Sequence, residues 1–269
     1  MRVTMPALKE YKRTGRRFTM MTAYDHQTAQ ILDEAGVPVL LVGDTLGIFF
    51  EGMPTTVGVS MDTMVHHCRA VSTAAKSALV VGDLPFGSYQ ESVRQAVGNA
   101  VRLVQQGGAQ AVKLEGPRPE EVAAIAGAGI PVIGHLGLTP QSVHVQGRSR
   151  VQARTATAVE RLVDDARALA KAGASALVLE AVPTEAGRLV TEALEVPTIG
   201  IGAGPHCDAQ VLVTTEILGL SAGPRPRFAK LYADLRGEIS DVARTVVAEV
   251  ETGRYPAPEH SYDWDIVAS

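Results

Sequence analysis

The sequence predicts an α/β fold of the (β/α)8 TIM-barrel class, and three observations carry that expectation. Short apolar, β-branched runs alternate with longer stretches of helical period. Eight such runs recur at a mean spacing of about 27 residues, which suits a strand, a helix and two connections. The chain has 269 residues, close to the roughly 250 that one such barrel needs.

The strands are expected at 18–23, 38–43, 78–82, 111–114, 131–134, 176–179, 197–201 and 210–214. Continuous apolar strands separated by amphipathic helices pair in parallel with both faces covered, because only a crossover helix returns the chain to a parallel neighbour. The helices carry their own boundaries. Asp25 caps a helix that reaches Gly36, and Ser60 caps one whose apolar face is Met61, Met64, Val65, Cys68 and Val71. Ser88 with Glu91 forms a capping box for a helix that Gly107 ends, and Val159, Leu162, Val163, Ala166 and Leu169 stripe another that stops at Gly173. The weak point is the eighth unit, where only 202–209 separate two strands; placing the last strand at 217–220 is the alternative, and a doubly wound sheet is the competing architecture. The whole chain, 1–269, reads as a single barrel domain with additional C-terminal helices after Pro226 and a loose tail at 255–269.

Composition narrows the partners. A net charge of −4 lacks the basic footprint of phosphate-backbone binding, so no nucleic acid is expected. No apolar run approaches the roughly 20 residues of a spanning helix, so no membrane partner is expected, and Met1–Arg17 has no signal-peptide core. Two cysteines, Cys68 and Cys207, fit a reduced cytoplasmic chain. The basic cluster from Lys9 to Arg17, with Glu10 and the apolar Leu8 and Tyr11 among it, reads as an ordinary surface helix.

The chemistry collects at the carboxyl ends of the expected strands, which in a barrel converge on one face. Strand two is followed by Asp44, strand three by Asp83, strand four by Glu115, strand five by His135 and strand six by Glu180. One acid at a strand end is commonly a helix cap; four at nearby strand ends form a basin in which like charges raise one another's pKa or gather a cation. All-oxygen ligation by Asp44, Asp83 and Glu115 points to a hard cation, Mg²⁺ above all, and no Cys/His cluster has zinc spacing. Lys113 shares a strand face with Glu115 and either pairs with a carboxylate or holds a substrate anion. Gly200, Gly202 and Gly204 do not complete a dinucleotide fingerprint because Pro205 follows. His66 and His67 flank an apolar helix face and carry no metal expectation.

Six ordered segments resemble the 3-methyl-2-oxobutanoate (ketopantoate) hydroxymethyltransferase family: Gly43-Asp44-Thr45-Leu46-Gly47, Gly82-Asp83-Leu84-Pro85-Phe86, Val112-Lys113-Leu114-Glu115, Gly134-His135 through Gln141, Leu177-Val178-Leu179-Glu180, and Ile199-Gly200 through Gly204. The similarity runs from about Tyr11 to Tyr262. It implies a cytoplasmic, homo-oligomeric (β/α)8 barrel, often a decamer, that transfers a one-carbon unit from 5,10-methylenetetrahydrofolate to a branched 2-oxo acid in pantothenate synthesis. It further implies Mg²⁺ on Asp44 and Asp83 with Glu115 beside or on the metal. Asp44, Thr45, Asp83, Lys113 and His135 would contact the oxo acid, and Glu180 would accept a proton so that a metal-stabilised enolate attacks the donor carbon. The chain departs from the family pattern at Thr45, 55–60, 147–154 and Ala209, which leaves the donor contacts open and keeps a different 2-oxo acid as an alternative substrate. A carbon–carbon lyase or phosphonomutase-like barrel would need a reactive cysteine near the metal, which neither Cys68 nor Cys207 supplies convincingly.

Overall fold

A computed structural model describes residues 2–147, 150–223 and 225–262. In chain order the elements are α1 (Met5–Arg13), β1 (Phe18–Thr22), α2 (His26–Glu34), β2 (Val39–Val42), α3 (Leu46–Phe49), α4 (Met61–Ala74), β3 (Leu79–Asp83), α5 (Val93–Gln105), β4 (Ala111–Glu115) and α6 (Pro119–Gly127). There follow β5 (Val132–Gly137), α7 (Val143–Gln146), α8 (Ala156–Lys171), β6 (Ala176–Glu180), α9 (Thr184–Glu192), β7 (Thr198–Ile201), β8 (Ala209–Leu212), α10 (Thr214–Ile217) and α11 (Leu235–Glu251). The eight strands close into a barrel in sequence order, all parallel, with β8 returning to β1 through the pairs Phe18–Ala209 and Met21–Leu212.

The last strand therefore forms at the earlier of the two expected positions, without an intervening helix, and the alternative at 217–220 is not a strand. It ends at Leu212 because the next residues turn back on β1: Thr214 Oγ1 donates to Thr22 O at 2.6 Å and Thr214 N to Thr22 Oγ1 at 3.0 Å. The doubly wound alternative is excluded by closure.

Alternation along each strand divides the core in two. Val39, Leu41, Val81, Ile133, Val178, Ile199 and Val211 fill the barrel interior, while Leu40, Val42, Val80, Leu114, Leu177 and Leu179 meet the surrounding helices. The expected surface helix near the N-terminus does more than present charge. Met5 and the fully buried Leu8 on α1 join the interior cluster, and Lys12 pairs with Asp208 at 2.8 Å.

Asp25 and Ser60 cap α2 and α4 through Thr28 N and Thr63 N, as expected. The capping box at Ser88 does not form. Ser92 caps α5, accepting from Gln95 N at 3.2 Å, while Ser88 Oγ donates to Pro85 O within the preceding loop. That loop turns Tyr89 inward to 1% exposure, and burying the ring outweighs the earlier cap.

By internal contact the chain comprises two compact units, Met1–Thr214 with Pro226–Ala229, and Thr215–Arg225 with Lys230–Ser269. The second contains α11, whose N-cap Asp234 accepts from Gly237 N at 3.1 Å. Both cysteines are free and buried. Among the described residues no helix is long and apolar enough to cross a membrane.

Candidate active site

Parallel register brings the chemical residues together. Asp83 pairs across to Lys113, Glu115 to His135, and Gly137 to Glu180. With Asp44 and Thr45 just past β2, they line one chamber of about 50 Å³ whose remaining wall includes Leu41, Val178, Ile201, Val211 and Val213. Each sequence-predicted site residue, Asp44, Thr45, Asp83, Lys113, Glu115, His135 and Glu180, reaches this chamber.

The charged groups are ordered by short contacts. Lys113 Nζ lies 2.8 Å from Asp83 Oδ1. Asp83 Oδ2 accepts from Asp44 N at 3.1 Å, which fixes the β2 end against β3. The His135 ring sits between two carboxylates, with Nδ1 3.3 Å from Glu115 Oε1 and Nε2 3.3 Å from Glu180 Oε2. Neither nitrogen meets hydrogen-bond geometry, so these contacts are ion pairs. The side chain of Glu180 is 17% exposed against 3% for those of His135 and Glu115, making it the accessible member of the trio.

Gly137 makes the Glu180 contact possible. Its φ is +92°, and a Cβ there would stand 2.3 Å from Glu180 O. A side chain at this register position would collide with the strand that carries Glu180.

Electrostatics follow from burial and neighbours. Burial pushes the Asp44 carboxyl well above the ordinary range, and the Asp83 and Glu115 carboxylates push it further. Asp83 is also raised, burial outweighing the Lys113 ammonium. Burial would raise Glu115 too, but His135 and Lys113 hold it below the usual glutamate value. Burial and Lys113 oppose protonation of His135, yet the carboxylates of Glu115 and Glu180 prevail and its pKa is pushed up to about 9. Lys113, despite burial, is raised above the ordinary lysine value by Asp83, Glu115 and Asp44. Fully ionised, the chamber sets four carboxylates against two cations, an excess of two negative charges that a divalent cation would match.

Three residues given no role by sequence reasoning complete the site. Gln141 is 3% exposed and lies on a 3-10 turn, Pro140–Ser142. Its Nε2 donates to Asp44 Oδ2 at 2.8 Å and to Leu84 O at 3.0 Å, and its backbone N donates to Glu115 Oε2 at 3.0 Å. Tyr89 OH donates to Gln141 Oε1 at 2.7 Å, and Tyr24 OH shares a 2.7 Å hydrogen bond with Thr45 Oγ1. The only sequence signal for Gln141 was its place at the end of Leu138-Thr139-Pro140-Gln141, directly after the His135 strand.

The donor set suits a hard cation. Among the described residues no three His, Cys, Asp or Glu side chains form a ready-made metal cage. Asp44 and Asp83 instead offer two carboxylates on one chamber wall, near enough to interact electrostatically, the pattern of Mg²⁺ sites that keep waters or substrate oxygens as remaining ligands. Glu115 is engaged by His135 and by the Gln141 backbone. His67 Nδ1 contacts Tyr24 O at 2.5 Å, a structural use of that histidine, and Asp208 accepts from Thr198 N and pairs with Lys12. Of the loop departures, Arg148 and Ser149 lie outside the described residues.

Both the fold and the sequence have counterparts among known proteins. In solved structures the chain resembles phosphonopyruvate hydrolase, with a TM-score of 0.62 and 15% identity over 97% of this chain and 92% of that one. It also resembles 2,3-dimethylmalate lyase, a PEP mutase/isocitrate lyase superfamily member, with a TM-score of 0.61 and 15% identity over 96% and 93%. At that identity the likeness is one of fold. Sequence relatives are nearer. The 3-methyl-2-oxobutanoate hydroxymethyltransferase of Acidothermus cellulolyticus is 53% identical over 263 residues, covering 97% of each chain. Its counterpart from Saccharopolyspora erythraea is 52% identical over 264 residues, covering 97% of this chain and 90% of that protein. The profile described as ketopantoate hydroxymethyltransferase matches residues 2–258, a span that contains the whole barrel and α11. A chain matched over that length, carrying the expected acids at the ends of its barrel strands, belongs to the ketopantoate hydroxymethyltransferase family of transferases.

Proposed function

We propose that the protein transfers a hydroxymethyl group from 5,10-methylenetetrahydrofolate to 3-methyl-2-oxobutanoate, giving 2-dehydropantoate for pantothenate synthesis, with Mg²⁺ as the metal. The observation that carries the reading is the chamber itself, where buried acids in excess of cations adjoin an apolar wall of Leu41, Val178, Ile201, Val211 and Val213. Asp44 and Asp83 would hold the metal, with Glu115 behind them as an ionised carboxylate. When bound, Mg²⁺ would polarise the oxo acid as a Lewis acid and so ease loss of the proton beside its ketone.

The protein's own groups supply the rest. Lys113 places a permanent positive charge where the oxo acid becomes an enolate. Glu180, the accessible carboxylate, takes the proton from C3, and His135, held cationic between Glu115 and Glu180, fixes its position. The electron pair released at C3 forms the new carbon–carbon bond to the donor methylene. Both bonds from that methylene to the folate nitrogens break, water supplies the hydroxyl, and tetrahydrofolate leaves with a proton on each of the two nitrogens, one relayed from C3 by Glu180 and the other from the water. Leu41, Val178, Ile201, Val211 and Val213 would receive the two methyl groups.

The lyase alternative lacks its cysteine, since Cys68 and Cys207 are buried and neither lines the chamber. The alternative of another 2-oxo acid is motivated by Thr45, whose methyl group adds bulk beside Asp44. Product formation from a panel of 2-oxo acids, with Mg²⁺ and with chelator, tests the reading. A strong preference for 3-methyl-2-oxobutanoate, lost on chelation, is expected; no product from it, or undiminished product without metal, would refute it. The reading also includes a cytoplasmic homo-oligomer, whose oligomer number sedimentation velocity would report.

A further inference from the structure

A second cavity of about 110 Å³ lies between the segment after α3 and the loop that follows β5. Pro140 is a wall common to it and to the active chamber. Gln146 borders both this cavity and a larger outer one of about 530 Å³, so a ligand seated in the smaller space has room beyond it for the remainder of its length. The faces are apolar, formed by Ile48, Leu138, Pro140 and Val143.

Its polar edge is unsatisfied. Thr56, 1% exposed, has a buried hydroxyl with no hydrogen-bond partner, and so does the side-chain oxygen of Gln146. The other amide atom of Gln146 is occupied by Thr139 Oγ1 at 2.9 Å, so whichever way the amide is turned one polar atom is orphaned. Leaving such atoms unpaired is costly, and two of them on residues that line one cavity call for a polar partner that a small side-chain rotation would bring within reach. None of the lining residues is ionisable, so a carboxylate or phosphate would be desolvated without compensation. The chemistry selects a neutral group with apolar faces and a hydrogen-bonding edge.

We propose that this cavity seats the neutral heterocyclic head of the one-carbon donor. Its polar edge meets Thr56 and Gln146, and its reactive side faces Pro140 and the chamber. The assignment rests on the one-carbon transfer proposed above. It also gives a role to part of the 55–60 segment, one of the departures from the family pattern, since Thr55 and Thr56 line the cavity.

The test uses the full-length protein carrying Thr56→Val, Gln146→Met or the cavity-filling Ile48→Trp. Two reactions are measured: complete transfer from 5,10-methylenetetrahydrofolate, and exchange of the C3 proton of 3-methyl-2-oxobutanoate in D₂O with Mg²⁺ and no donor. Each of the first two variants is expected to raise the donor KM about tenfold, the loss of one hydrogen bond. Ile48→Trp is expected to remove donor saturation, and tetrahydrofolate binding followed by fluorescence is expected to weaken in step. The oxo-acid KM and the exchange rate stay within twofold of wild type. Donor KM and tetrahydrofolate affinity unchanged in all three variants would show that the cavity holds only water and overturn the proposal, as would parallel loss of exchange. Wild-type protein that neither exchanges the proton nor transfers carbon would remove the reaction itself, and this site with it.

Discussion

Replacing Gln141 with leucine tests how the acids are held. The amide donates to a carboxylate at 2.8 Å and to a carbonyl at 3.0 Å, and accepts from Tyr89 OH at 2.7 Å, all within the buried interior. Losing the charge-assisted bond to Asp44 costs roughly 2 kcal/mol, and stranding Leu84 O and weakening the Tyr89 anchor add about 1 kcal/mol each. A total of about 4 kcal/mol corresponds to a Tm lower by roughly 10 °C for a chain of this size. The deficit has a pH signature, because an unpaired Asp44 carboxylate is penalised only while ionised: at acid pH the deficit should shrink to the roughly 2 kcal/mol left by Leu84 O and Tyr89, and it should grow as pH rises and Asp44 ionises. Urea and thermal unfolding across that range measure both effects, and calorimetry with Mg²⁺ and the oxo acid should show weaker binding. A destabilisation below about 1 kcal/mol, or one independent of pH, would show that the Gln141 amide does not hold Asp44.

Two other perturbations address the same wall of the chamber. His135 has its pKa pushed up to about 9 from 6.5, so its ion pairs stabilise the fold fully below about pH 6.5 and lose that contribution as pH rises through 9, a change of order 3 kcal/mol. Wild-type stability should decline across that window while His135→Gln shows a flatter profile; matching slopes would contradict a cationic His135. Gly137→Ala places a Cβ 2.3 Å from Glu180 O at a φ of +92°, so a loss of about 3 kcal/mol or more is expected by denaturant unfolding, with proton exchange reduced further than stability alone explains. Near-wild-type behaviour would mean that β5 and β6 separate without cost.

Much of this was legible in the sequence because it rests on periodicity and charge. The strands read clearly as continuous apolar runs buried on both faces, and acids at strand ends stand out against them. Gln141, Tyr89 and Tyr24 were not legible, since uncharged polar residues in or beside loops follow no pattern until the loops fold inward. The same cause misplaced the α5 cap: Ser88 and Ser92 are locally equivalent, and the burial of Tyr89 decides between them. For α1, Leu8 and Tyr11 read as the apolar side of a surface helix, whereas Leu8 is buried in the interior cluster, a contact that exists only once the barrel closes. The last strand hinged on a pairing between Thr22 and Thr214, 192 residues apart, which no local signal carries.

On the proposed reading, Glu180 removes the C3 proton inside this chamber. NMR of 3-methyl-2-oxobutanoate in D₂O with the protein and Mg²⁺ measures that step alone, without the donor. Exchange is predicted for the wild type and abolished in Glu180→Gln, the variant remaining folded by circular dichroism although it loses the ion pair to His135; exchange persisting undiminished in that variant would contradict a base role for Glu180.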